Sequence, residues 1–196
     1  MIGLSTAALY VLQTIGSLYL LIVLLRFILQ LVKADFYNPL SQFIVRATHP
    51  LIKPLRKIIP SFAGLDLASL VLAILVQLVL MALVLMLMGY GFDNPLQLLV
   101  WSIIGVTALF IKVFFFALII SVILSWVAQG SHNPAAELIN QICEPLLAPI
   151  RRMLPSLGGL DLSPIVAFLI LNLIDMLVIR NLAVMSGMFQ GLSLAV

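Results

Sequence analysis

The chain has 196 residues, 64% of them apolar and 9% charged, with a net charge of +3 and a mean hydropathy of +1.27. So little charge cannot give a globule of this size a polar surface, which excludes a soluble domain and points to an integral membrane protein. The few cations read as a topology signal rather than a nucleic-acid surface, and the single cysteine, Cys143, excludes an intrachain disulfide.

The first apolar run, 6–32, exceeds the roughly 20 helical residues needed to cross a hydrocarbon core. It has neither a basic leader nor a small-residue cleavage site, so it is expected to stay in the membrane. Gln13 and Ser17 lie at i and i+4 on one face of it. Arg26 lies nearer its end and is expected to snorkel to the interface.

A polar, proline-rich segment follows, and it is written twice. The stretch NPLSQFIVRATHPLIKPLRKIIPSFAGLDL, starting at Asn38, returns as NPAAELINQICEPLLAPIRRMLPSLGGLDL, starting at Asn133, at a constant offset of 95. Such a repeat, each time between two apolar runs, means duplication of a membrane hairpin, with units 1–94 and 95–196. The first copy carries Asn38, Pro39, Pro50, Pro54, Arg56, Lys57, Pro60, Gly64 and Asp66. The second carries Asn133, Pro134, Pro145, Pro149, Arg151, Arg152, Pro155, Gly159 and Asp161.

Each copy opens with Asn-Pro, an N-cap with proline at the first helical position, where the missing N–H costs nothing. A short helix is expected over 39–48 and again over 134–143, ended by Pro50 and Pro145. The pieces after it, 51–59 and 146–154, alternate apolar residues with Lys and Arg and read as amphipathic segments in the headgroup layer, basic side chains toward anionic lipid. Gly-Leu-Asp-Leu then reads as a turn and an Asp N-cap of the outgoing span. These cations and caps are explained either as topology and helix-end features or as a paired docking surface for a protein partner.

The second run, 67–88, carries Gln77; a cation-free link leads to the third, 98–128, with Lys112 near its centre; the fourth, 162–182, carries Asn172 and Asp175. With the cations concentrated in the duplicated segments, both segments are expected in the cytoplasm, both termini outside, and the two hairpins in the same orientation. Lys112 and Asp175 then lie within about 3 Å in depth, and an ion pair between adjacent helices is expected. Gln77 matches Asn172 across the repeat, and Ser17 matches Lys112. Gln13, Ser17, Gln77, Lys112, Asn172 and Asp175 therefore form an expected intramembrane polar layer. Since a charge at bilayer centre costs about 2.5 to 3.5 kcal/mol, such a layer is either interhelical glue or a path for an ion or proton. Phe114, Phe115 and Phe116 are expected to face lipid or neighbouring helices.

His49 and His132 do not share a repeat position and have no ligand spacing around them, so no metal site is expected. No nucleophile triad, carboxylate pair in a polar cleft or phosphate-binding loop is written in the chain, so neither enzyme activity nor a cofactor is expected.

On the doubled Asn-Pro, the doubled Pro-Leu-x-x-Pro-[Leu/Ile]-Arg-[Lys/Arg] and the doubled Pro-Ser-x-x-Gly-Leu-Asp-Leu, each before an apolar span, the chain resembles the YggT family of small bacterial membrane proteins. The resemblance covers nearly the whole chain. It implies a multi-pass inner-membrane protein without known catalytic activity. Family members are associated with osmotic tolerance, their bacterial genes cluster with division and envelope functions, and plastid relatives assist haem attachment during cytochrome b6 maturation. The copies have diverged, with His49 facing Glu144 and Ser69 facing Pro164.

The expected fold is thus an all-α membrane protein with four transmembrane helices in two tandem hairpin repeats of the same orientation, each with a cytoplasmic amphipathic re-entrant or interfacial segment. The expected role is a membrane scaffold or assembly factor. Its expected partners are anionic headgroups, a membrane or cytoplasmic protein, and further copies of itself. The alternative is a potassium or proton channel or transporter through the polar layer.

Overall fold

The computed structural model describes residues 2–62, 64–91, 94–127, 133–154 and 161–188, which are helical apart from turns and one isolated bridge between Phe62 and Leu65. In chain order the helices are α1 (Ile2–Leu31), α2 (Pro39–Leu55), α3 (Leu67–Leu87), α4 (Pro95–Val127), α5 (Pro134–Met153) and α6 (Ser163–Ile174), then a π-turn (Asp175–Ile179) and α7 (Arg180–Met185). Four stretches are long and apolar enough to cross a membrane: Thr6–Leu31, Leu67–Leu87, Pro95–Ser125 and Ser163–Met185. The last of these runs continuously through α6, the π-turn and α7.

α2 and α5 differ from expectation. Pro50 and Pro145 do not end their helices, which run on to Leu55 and Met153 and enclose Pro54 and Pro149 as well. All four prolines lie on the exposed side. The carbonyls that they leave without an N–H partner therefore lie away from the packed face. The buried stripe of Ser41, Ile44, Thr48 and Ile52 keeps its helical spacing past Pro50 and holds the helix together by packing. Leu138, Ile142, Leu147 and Ile150 do the same in α5.

One hydrophobic core joins the two repeats, drawing Leu24 and Ile28 from α1, Ile52 from α2, Leu72 from α3, Leu118 from α4, Ile142 from α5 and Leu171 from α6. The spans pack in series: α1 chiefly on α3, α3 on α4, and α4 on α5 and the fourth span, with only slight contact between α1 and α4. Burial follows that order. In its most apolar window the third span is 50% buried, against 17% for the first and the fourth.

Glycines stand at two of the helix contacts. Gly16 lets α1 approach the Leu80 side chain of α3, where any Cβ would collide with it. Gly105 lets α4 lie against Gln77 of α3, whose Nε2 would be 2.7 Å from an added Cβ. Phe114 is buried in the core, Phe115 packs edge-on against Phe168 of the fourth span, and Phe116 is exposed.

Candidate functional site

Where α1, α2 and α3 meet, the first repeat builds a buried charge cluster. Asp66 caps α3, its Oδ1 accepting from the Ser69 amide at 3.3 Å and its Oδ2 from the Ser69 hydroxyl at 2.6 Å. Arg56, just past the end of α2, donates to the same Oδ2 at 2.6 Å. Arg26 comes from α1 and places its Nε 3.7 Å from that oxygen, while its Nη1 donates to the Val45 carbonyl at 3.0 Å and the Thr48 hydroxyl at 2.8 Å.

Arg26 does not snorkel. It is 4% exposed and Asp66 is 1% exposed. Charges so far from water persist when paired and hydrogen-bonded, and here Arg26 has Asp66 as counter-ion and the Val45 carbonyl and Thr48 hydroxyl as acceptors. Burial alone would push the Asp66 carboxyl up, but the Ser69 hydroxyl, Arg56 and the Ser69 amide outweigh it and hold the group below the usual carboxylate range.

The second repeat assembles its cluster differently. Arg151 Nε donates to Asp161 Oδ2 at 3.1 Å and its Nη1 to Glu144 Oε1 at 3.4 Å, and all three side chains are exposed. Asp161 is not the expected N-cap: Leu162 takes that position, and Asp161 accepts from the amide two residues on, Ser163, at 2.9 Å, where Asp66 reaches three residues on, because the counterpart of Ser69 is Pro164, which has no N–H. Burial raises the Asp161 carboxyl and the bonds from Ser163 and Arg151 overcome it, so it too lies below its ordinary value. Ser121 of α4 donates to Asn140 Oδ1 at 2.9 Å. Cys143 is buried among these residues, and desolvation, helped by Glu144, pushes its thiol up to about 12.

Both motif asparagines cap, and Asn38 does more. Asn38 Oδ1 accepts from the Leu40 amide at 3.0 Å and Asn133 Oδ1 from the Ala135 amide at 2.9 Å, with Pro39 and Pro134 in the first turns as the spacing predicts. Asn38 Nδ2 also donates to the Pro134 carbonyl at 2.7 Å, and the Asp35 amide donates to Gln141 Oε1 at 2.8 Å. These two bonds tie the repeats together. Lys57, Arg152 and Pro60 are exposed, Gly64 forms its turn at φ 83°, and Pro155, Gly159 and His132 lie outside the described residues.

Three members of the expected polar layer come together. Lys112, Asn172 and Asp175 line one cavity of about 190 Å3 with Ile111, Phe115, Phe116 and Leu171. The ion pair of Asp175 runs to Arg180, Nε to Oδ2, at 3.0 Å. In a regular α-helix residues five apart point about 140° away from each other; the π-turn, with the Arg180 amide bonded to the Asp175 carbonyl, brings these two onto one face. Asn172 donates to the Phe168 carbonyl of its own helix at 2.9 Å. Gln77 lies elsewhere, fully buried in the α3–α4 contact, and neither its amide nitrogen nor its oxygen has a hydrogen-bond partner among the described residues. Gln13 and Ser17 are half-buried on α1 and line neither this cavity nor the cluster of the second repeat.

Arg26 is the site residue that sequence reasoning missed. Its counterpart in the second copy is Ser121, so the repeat gave it no echo, and its place outside the duplicated motif hid its link to Asp66.

The CCB3/YggT family profile matches residues 5–87 and again 100–182. An uncharacterized protein of Pseudomonas aeruginosa, PA0392, is 77% identical over 99% of this chain and 99% of its own length. The uncharacterized protein YggT of Escherichia coli K12 is 36% identical, over 85% of this chain and 86% of its own. A plant relative, YlmG homolog protein 2, chloroplastic, of Arabidopsis thaliana, is 41% identical over 32% of this chain and 25% of its own length. No solved structure matches the chain. With a family profile that fits each hairpin in turn, and with the doubled caps and charge pairs in the corresponding places, the chain belongs to the CCB3/YggT family of membrane proteins.

Proposed function

We propose that the protein is a non-enzymatic scaffold or assembly factor of the bacterial inner membrane, which holds a partner through its fourth span. One observation carries this reading. The fourth span packs on one side only, yet exposes Asn172, Arg180 and Asn181, whose bonds among the described residues stay within that span, to Phe168, Asp175 and Leu177. Each keeps hydrogen-bonding capacity that a neighbouring helix can take up, and polar side chains commonly join helices in membranes in this way.

The duplicated helices α2 and α5 lie in the cytoplasmic headgroup layer, with Lys53, Arg56, Lys57, Arg151 and Arg152 toward anionic lipid and the two hairpins in the same orientation. Both termini are then periplasmic. The link to envelope function and osmotic tolerance comes from the family resemblance.

Cysteines placed at Leu169 and Met176, exposed on the fourth span, are expected to crosslink in intact membranes. A product of twice the chain mass identifies a second copy as the partner, and a product of another mass a different protein. Osmotic tolerance in a deletion strain is expected to return with the wild-type gene and not with an Asn172→Leu, Arg180→Leu double variant that accumulates normally. Full complementation by that variant, with no crosslink at either position, would sink the reading.

A second reading, an ion or proton path, is favoured by the convergence of Lys112, Asn172 and Asp175 on one cavity. Potassium or proton flux in proteoliposomes that disappears in folded Lys112→Ala and Asp175→Asn proteins would establish it.

A further inference from the structure

At the offset of 95, the surroundings of Arg26 map residue for residue onto a cavity. Ser121 stands in place of Arg26, Asn140 in place of Val45, Cys143 in place of Thr48 and Glu144 in place of His49, while Arg151 and Asp161 keep the places of Arg56 and Asp66. All six second-repeat residues line a single cavity of about 670 Å3 between α4, α5 and the start of the fourth span. That volume is within the range of small-molecule sites. In the first repeat the same region is filled by the Arg26 side chain and its bonds to Val45 and Thr48. Its absence leaves the Asp161 side chain 44% exposed, where that of Asp66 is 1% exposed.

Charge changes along with shape. The first cluster sets two guanidinium groups against one carboxylate. The second sets one guanidinium between two carboxylates, so a surplus positive charge has become a surplus negative one. The connection over 155–160, PSLGGL, contributes no charge to restore the balance.

We propose that this cavity is a binding site for an organic cation with N–H donors, a primary ammonium or guanidinium group, which takes the place filled by Arg26 in the first repeat. Asp161, Glu144, Ser121 and Asn140 supply acceptors around it. A quaternary ammonium is selected against: it has no N–H to donate, and the cavity has no aromatic face among its described walls for cation–π contact. The amine has two sources, a soluble molecule or an aminophospholipid headgroup whose phosphate would meet Arg151. The site stands independently of the assembly role proposed above.

The test uses the full-length protein. In detergent it is titrated with agmatine, which carries both cationic groups, and thermal unfolding is followed, since a ligand of the folded state raises the melting temperature. In parallel it is placed in nanodiscs of phosphatidylethanolamine or phosphatidylcholine, and retained lipid is counted by native mass spectrometry. Stabilisation by agmatine alone identifies a soluble amine as the source, and selective retention of the ethanolamine lipid identifies the headgroup. Ser121→Arg, which returns a guanidinium to the cavity, is expected to weaken either binding by at least about tenfold while preserving the melting temperature, and Glu144→Gln to weaken it by about as much. No stabilisation by agmatine together with equal retention of the two lipids, or wild-type binding by Ser121→Arg, overturns the proposal. If Ser121→Arg does not fold, Glu144→Gln decides, and wild-type binding by that variant overturns it.

Discussion

Asp66 and Asp161 occupy the same place in the motif, but one lies between two guanidinium groups out of reach of water and the other at a surface, so replacing each with asparagine has different consequences. Asp66→Asn leaves Arg26 as a buried charge with weakened compensation and is expected to cost about 3 to 5 kcal/mol. Asp161→Asn breaks an exposed pair and is expected to cost about 0 to 1 kcal/mol. Thermal unfolding in detergent separates the two. The pH dependence follows the same residue. Because its folded carboxyl is held below its unfolded value of about 4, the stabilisation from Asp66 is present above that pH and is lost as pH falls through the folded value. Wild-type protein should lose melting temperature steeply in that acid window, and Asp66→Asn should lack that part of the fall. Gln77 offers the opposite case: its buried amide makes no hydrogen bond among the described residues, so Gln77→Leu is expected to be neutral or stabilising by about 1 to 3 kcal/mol. A loss of stability of that size would show that the amide has a partner in the folded membrane protein.

At the level of elements, the Asn-Pro caps were legible because an N-cap acceptor followed by proline has a mechanism that acts within three residues. The contact between repeats made by Asn38 was not, because it depends on where α5 lies. Asn38→Asp keeps the capping oxygen and removes the donor to Pro134, so it is expected to cost about 0.5 to 1.5 kcal/mol, while Asn133→Asp changes unfolding by no more than about 0.5 kcal/mol. Equal effects would show that the bond to Pro134 contributes nothing. Pro50 and Pro145 misled for a physical reason: proline costs a helix one hydrogen bond, and a helix whose other face is buried can bear that loss on its exposed side. The π-turn was hidden too. Asp175 and Arg180 are spaced for neither i+3 nor i+4 contact, and only an extra residue in the turn makes them neighbours.

For the whole molecule, four spans and their duplication were readable from hydropathy and the repeat, whereas their order of packing was not, since apolar faces look alike to lipid and to another helix. Packing in series puts α1 and the fourth span at the flanks. Spin labels at Leu18 and Leu169 should therefore be relaxed by dissolved oxygen, and labels at Met81 and Leu118 should be shielded. Native Cys143, buried and with its thiol pushed up to about 12, should contribute little background labelling. Equal oxygen access at all four positions would rule out the serial packing. The buried Arg26–Asp66 contact also bears on how the chain enters the bilayer. Arg26 is synthesised before Asp66 and lies on a different helix, so its ion pair is completed only when α3 follows α1. In the second repeat Ser121 stands in its place, and no such pair makes Asp161 depend on α4.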